Sequence, residues 1–271
     1  MQLVRTAALT AVVLAATFGT AHAQFAGNFN AKSNAAVGER FVIEIAGDLW
    51  NPDPAITIAT DALTVTGTNS IDFVTELGIQ PTRFRNVGVT LKAGRKHKLR
   101  FAYTPITYDA STTIRRSFVF NGRTYDIGIP VNTTVDWKFY RFGYEWDIVS
   151  RDRGFFGVLG ELKYNDITAT LAAPIGTETA QQKAPVPTIG AVGRGYIVKN
   201  LSATVEVSGF KLTRAPDQVK WVDVDVYGTF NVTKNIGARG GYRSIHPTYT
   251  VSSDSGDLKL QGPYFGAVVR F

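Results

Sequence analysis

Leu258-Lys-Leu-Gln-Gly-Pro-Tyr-Phe-Gly-Ala-Val-Val-Arg-Phe271 is an amphipathic stretch that stops on an aromatic residue. Its apolar residues recur with period two. That is the spacing of a β-strand, whose successive side chains point to opposite faces, and not the 3.6-residue period of a helix. A strand of this length that ends on Phe271 has the form of the closing strand of a larger sheet. Working back from it, the same alternation returns between turn-like breaks as far as about residue 40.

Ten stretches carry the pattern: Phe41 to Trp50, Arg83 to Lys92, Lys96 to Tyr108, Thr134 to Val149, Gly154 to Leu171, Pro187 to Val198, Leu201 to Leu212, Val219 to Val232, Ile236 to Thr248, and Leu258 to Phe271. Short turns at Ala93-Gly94, Arg151-Asp152, Lys199-Asn200 and Lys234-Asn235 alternate with longer links. The links are Asn51 to Thr82, Asp109 to Thr133, Ala172 to Val186, Thr213 to Gln218, and Tyr249 to Asp257. Strict alternation of short and long connections predicts an up-and-down antiparallel sheet with an even number of strands. Ten fits. Eight stays open if two weak stretches are not barrel strands, and the first link has room for extra strand at Ile56 to Thr66 or Ile71 to Ile79.

Residues 1–23 read as a cleaved signal peptide, with Arg5 in a short n-region, an apolar run from Ala7 to about Phe18, and Ala21-His22-Ala23 before Gln24. The run is shorter than the ~20 residues a membrane helix needs. The remaining chain, 24–271, is expected to be one all-β domain. Cysteine is absent, which excludes disulfide scaffolds and thiolate metal sites. The formal charge of +7 has no Lys/Arg-rich block of the kind that tracks a phosphate backbone, so nucleic acid is not the expected partner. Anionic lipid head groups suit the excess better.

Val222, Val224, Val226, Phe230 and Val232 form one face of the eighth stretch, and Trp221, Asp223, Asp225, Tyr227, Thr229 and Asn231 the other. In a soluble sandwich the apolar face would be the core; in a membrane barrel it meets lipid and the carboxylates point into the lumen. Strand length favours the barrel, because most stretches reach the ~9–11 residues of a tilted membrane strand and exceed the ~5–6 of a soluble one. So do aromatic residues near strand ends, such as Tyr140, Phe142, Tyr144 and Trp146. The predicted fold is a closed antiparallel transmembrane β-barrel. Its lumen would then hold Glu44, Asp48, Glu145, Asp147, Glu161, Glu206, Asp223 and Asp225 against Lys98, Arg100, Arg141, Lys163, Arg194, Arg239, Arg243 and Arg270. These signs balance, and charges held away from bulk water are expected to pair across strands. The turn at Lys234-Asn235 places Asp225 opposite Arg243 as a lumen charge pair.

With its leader, alternating strands and final Gly262-Pro-Tyr-Phe-Gly-Ala-Val-Val-Arg-Phe271, the chain resembles the small Gram-negative outer-membrane β-barrel proteins, the class that includes the OmpA transmembrane domain and OmpW-type barrels. The resemblance implies export through the periplasm to the outer membrane, with Phe271 read by the barrel assembly machinery. It implies a structural, lipid- or ligand-contacting surface protein or a narrow channel for small solutes. The link from Asp109 to Thr133 carries Arg115, Arg116 and Arg123, and its Asn121-Gly122 predicts a hairpin that extends the barrel outward as a flap. With Arg83 and Arg85 near the same rim, these arginines are candidates for binding lipopolysaccharide phosphates through their guanidinium forks.

Chemistry-bearing motifs are sparse. His97 and His246 fall at opposite ends of the barrel, so they cannot share a metal. A set of His246 with Ser244 or Ser252 and Asp254 can be drawn, but no G-x-S-x-G elbow accompanies it. Gly190-Ala-Val-Gly193-Arg-Gly195 lies inside a strand-like stretch with no helix after it, which suits barrel-wall packing and not a phosphate loop. No catalytic residue, metal ligand or cofactor site is assigned. The other classes left open are a rim enzyme of protease or lipid A modifying type, with His246, Asp217, Asp254 and Asp257 at the rim, and a soluble periplasmic β-sandwich binding protein.

Overall fold

A computed structural model describes residues 36–59, 70–120, 123–214, 217–251 and 254–271. The expected signal peptide lies outside the described residues, as do Asn121-Gly122 and Ser252. Among the described residues every regular element is a strand. In chain order these are β1 (Ile43–Trp50), β2 (Asp53–Ala59), β3 (Ser70–Asp72), β4 (Phe84–Lys92), β5 (His97–Thr113), β6 (Phe118–Phe120) and β7 (Arg123–Tyr125). They continue with β8 (Pro130–Arg151), β9 (Gly154–Ala173), β10 (Gly176–Val198), β11 (Leu201–Arg214), β12 (Asp217–Asn231), β13 (Ile236–Val251) and β14 (Asp254–Arg270).

The ring runs β1, β4, β5, then β8 through β14 in order, and β14 closes on β1, every neighbour antiparallel. Ten strands therefore form the barrel wall. The closing register pairs Glu44 with Arg270 and Trp50 with Tyr264. At Asn51-Pro52 the first strand breaks, since Pro52 has no N–H to give. It resumes as β2, which pairs with β14 from Gln261 to Ser255. Gly262 lies opposite the break, where a Cβ would stand 2.2 Å from the Asn51 carbonyl oxygen. Only glycine allows that approach.

Several long links are shorter than the sequence pattern suggests. Ala172 to Val186 was expected as a loop, yet β9 runs to Ala173 and β10 starts at Gly176. The alternation fades there because the outer face turns polar, while the backbone ladder continues regardless of what the side chains meet. The strand possibilities in the first link are partly realised as β2 and β3, with turns at residues 73–77.

Both faces of the wall change character at one height. On β5 and β8 the outer partners are Phe101 with Phe142, then Tyr103 with Tyr140, then Pro105 with Lys138, Thr107 with Asp136 and Asp109 with Thr134. The inner residues over the same rungs change from Arg100 and Arg141 to Ile106, Trp137 and Phe139. Toward the short turns, then, the wall is apolar outside and charged inside, the arrangement a bilayer requires. Toward the other end it is polar outside and apolar inside, as in a water-soluble protein. Tyr103, Tyr140 and Tyr164 mark the boundary, their rings 4.7 and 6.3 Å apart in sequence around the wall. Exposed Leu99, Phe156, Ile189, Val205 and Phe265 belong to the apolar band below it.

Candidate functional site

The lumen within the apolar band is crossed by a continuous run of ion pairs. Lys98 bonds Glu145 at 2.6 Å and Asp147 at 3.0 Å; Arg100 joins Glu145 to Glu206; Arg141 joins Glu206 to Glu161. Lys163 then reaches from Glu161 to Asp223, and Arg243 bonds Asp223 at 2.9 Å. These groups stand on β5, β8, β9, β11, β12 and β13, so the run spans the interior from wall to wall. Each comes from the polar side of a period-two strand, which is why sequence alternation alone could assign all sixteen lumen charges to one face. Lys163 is 0% and Glu206 3% exposed, which means the space around them is filled by partners and not by bulk water.

Smaller clusters complete the interior. Arg239 forks onto Asp48, which also accepts from Asn86, and its guanidinium lies over the rings of Tyr227 and Tyr264. Arg270 bonds Glu44 across the closing seam and donates to Asn231 at 2.6 Å. Arg243 sits opposite Asp225 in the register, as expected, but its guanidinium leans diagonally onto Asp223. Asp225 accepts from the Tyr264 hydroxyl at 2.9 Å instead. A cavity of about 90 Å3 remains beside Glu44, Asp48, Arg100, Asp225 and Arg243, room for a few waters.

At the short-turn end, residues 36–41 cross the mouth as a strap. Ala36 donates to the Asp152 carbonyl and Val37 to that of Lys199, both at 2.8 Å. The Val37 carbonyl accepts from Tyr196 and Asn231, and Glu39 pairs with Arg194 at 3.1 Å. Gly38 has φ +88° and lies so close to Asn231 and Arg270 that a Cβ would clash with both. Burial alone would raise the Glu39 carboxyl, but the neighbouring Arg194 and Lys92 charges outweigh it and hold the pKa below the ordinary value.

The opposite end is closed by apolar packing. Ile71, Phe73, Leu77 and Ile79 from the first link join Trp50, Phe84, Ile106, Trp137, Phe139, Trp221 and Leu260 of the wall in one buried cluster. The hairpin β6–β7 exists, but it folds inward and is not an outward flap. Phe118 and Tyr125 stack at 5.3 Å in that cluster, and Tyr125 donates to the Leu171 carbonyl. Leaving two aromatic faces in water would forfeit about 1.5–3 kcal/mol each, so inward packing wins.

The candidate lipid-binding arginines are not gathered into one patch. Arg83 and Arg85 are exposed on the outer wall, Arg83 lying 5.9 Å from the ring of Phe265. Arg116 is held by Glu76 and the Ser70 carbonyl, and Arg123 by Glu178 and the Ile175 carbonyl, so these two fasten the closure together. Arg115 is exposed. Phe271 is exposed on the outer wall, and its backbone pairs with Ile43 across the seam.

His246 bonds Asp257 at 2.9 Å on the outside of the barrel. Ser244 makes no hydrogen bond to it, and Ser252 lies outside the described residues. Among the described residues no group of His, Asp and Glu is arranged to hold a metal ion.

A closed antiparallel ring, apolar outside and charged inside over the same band, defines a transmembrane β-barrel. A solved structure of like fold agrees. The outer-membrane protease OmpT from Escherichia coli matches with a TM-score of 0.56 and 7% identity, covering 84% of this chain and 96% of that one. The translocator domain of the autotransporter NalP from Neisseria meningitidis matches with a TM-score of 0.45 and 9% identity, over 84% of this chain and 88% of that one. At such identities the likeness to OmpT is one of fold. No family model matches the sequence, and no curated protein matches it.

Proposed function

We propose that the protein is an integral outer-membrane barrel whose lumen is structural and whose working surface is the outer wall and rim. The short turns and the strap then face the periplasm, and the polar end rises outside the cell. The observation that carries this reading is the wall-to-wall run from Lys98 to Arg243, whose members are paired and largely hidden from solvent. An interior filled in this way, strapped at one mouth and packed with apolar side chains at the other, favours a structural or ligand-contacting surface protein, in the manner of the OmpA- and OmpW-type barrels the sequence resembles, over a small-solute channel. Outer-membrane lipid is the natural partner, with Arg83 and Arg85 near the band edge. Phe271, at the seam, is proposed as the residue the assembly machinery reads, after export by the leader.

Cell fractionation and heat-modifiable gel mobility test the location. A mature chain that stays soluble in the periplasm overturns the proposal. Planar-bilayer recordings test the closed lumen: the expected trace shows no conductance steps, and regular steps would revive the channel.

A further inference from the structure

Above the aromatic boundary several outer rungs satisfy their own polar groups. Thr107 bonds Asp136, Thr134 bonds Asp109, Ser111 bonds Asn132, and Asp166 takes both Gln181 and Lys183. Among the described residues, the rung between β11 and β12 differs in carrying two like charges. Lys211 on β11 and Lys220 on β12 are direct register partners, both exposed, and neither has a carboxylate partner among the described residues. Like charges placed directly opposite are destabilising by ~0.2–1 kcal/mol, because their Cβ atoms are only ~5 Å apart.

The rung's position says what would relieve it. One step toward the short turns the outer partners are Gly209 and Val222, then Val207 and Val224, which belong to the apolar band. One step the other way they are Thr213 and Gln218. The lysines therefore stand at the top edge of the lipid-facing wall. Below them Gly209 presents no side chain, while its neighbours Ile189, 76% exposed, and Val222 stand on either side. That leaves a shallow notch directly beneath the cation pair, floored by Gly209 and bounded below by Val207. On β13, Thr248 faces Lys220 and adds a hydroxyl at the same level.

We propose that Lys211 and Lys220 bind the phosphate of an outer-leaflet glycolipid, the phosphorylated lipopolysaccharide core, with one acyl chain lying in the Gly209 notch. This inference rests on the outer-membrane reading above. An oxyanion between two ammonium groups turns a repulsive rung into a bridged one, and the notch admits a chain directly beneath it. Sequence alternation did not single out the site: both lysines lie inside patterned stretches, and only the register sets one opposite the other.

The test uses the folded full chain in detergent, with rough-form lipopolysaccharide, the same material with its phosphates removed, and phosphatidylglycerol as probes. Phosphorylated lipopolysaccharide should raise the unfolding temperature of the wild type. At roughly fivefold per lysine, the Lys211→Gln/Lys220→Gln variant should bind it about twenty-five-fold more weakly. Lys211→Glu supplies a cross-strand ion pair, so it should unfold at a higher temperature than the wild type without lipid and gain little when lipopolysaccharide is added. Unchanged binding by the double variant overturns the site, as does equal binding of the dephosphorylated form. Equal stabilisation by phosphatidylglycerol overturns the choice of glycolipid. Fractionation of the same variants separates these failures from failure of the outer-membrane reading, because a protein that reaches the membrane but ignores all three probes refutes this inference alone.

Discussion

Arg270→Met is the sharpest test of the charged lumen. Arg270 stands opposite Glu44 where β14 closes on β1, and the two are 2% and 7% exposed. In the variant Glu44 loses the hydrogen bond from the guanidinium, and the Asn231 oxygen loses a 2.6 Å donor. Removing one partner of a buried pair costs about 3–5 kcal/mol, because the other charge stays buried without compensation. Arg194 and Arg239 still act on the carboxylate through space, which points to the lower end, about 3 kcal/mol. Adding Glu44→Gln removes the stranded charge, so the double variant should recover to within about 1–2 kcal/mol of the wild type. The assay is urea unfolding in phospholipid vesicles followed by tryptophan fluorescence, with stability from linear extrapolation. The reasoning is refuted if Arg270→Met unfolds within about 1 kcal/mol of the wild type, or if the double variant is no more stable than the single one.

Further outcomes follow from the same geometry. Phe139→Ala, which opens the fully buried apolar closure, should cost about 3–5 kcal/mol in that assay, whereas Phe142→Ala on the exposed outer face should cost clearly less; equal losses would contradict the inside-out assignment. Tyr140→Trp should be quenched strongly by lipids brominated near the head group and Thr134→Trp, several rungs higher, weakly; the reverse order would move the boundary. Gly38→Val should dislodge the strap, seen as faster proteolysis at residues 36–42, and an unchanged cleavage rate would deny the tight fit there. Because the folded Glu39 pKa is depressed, its contribution is present above the unfolded value of ~4.3 and is lost as pH falls through the lower folded value. The strap should therefore loosen only in strong acid, and proteolytic release already at pH 6 would argue against the Glu39–Arg194 contact.

Period-two alternation was enough to place every wall strand, because lipid on one side and a crowded lumen on the other force opposite chemistry onto successive residues. The Asp223 and Asp225 side of β12 and the Arg239 and Arg243 side of β13 were legible for that reason. The same rule ended one strand too early at Leu171 and began the next too late at Pro187, since there the outer face is polar and only the backbone ladder remains. Loop chemistry was legible as local geometry alone: the hairpin about residues 118–125 follows from its turn residues, but not the direction in which it folds.

Sequence by itself determined the two faces and the balance of lumen charge, which depend on local periodicity, while the ring closure chose ten strands over eight. Tertiary structure decided which charges touch. Arg243 reaches Asp223 and not Asp225, Arg194 holds Glu39 from 155 residues away, and Arg116 and Arg123 bond Glu76 and Glu178. Those choices depend on the curvature of the closed ring, which brings non-adjacent strands across a lumen narrow enough for side chains to meet, and no one-dimensional pattern contains that distance.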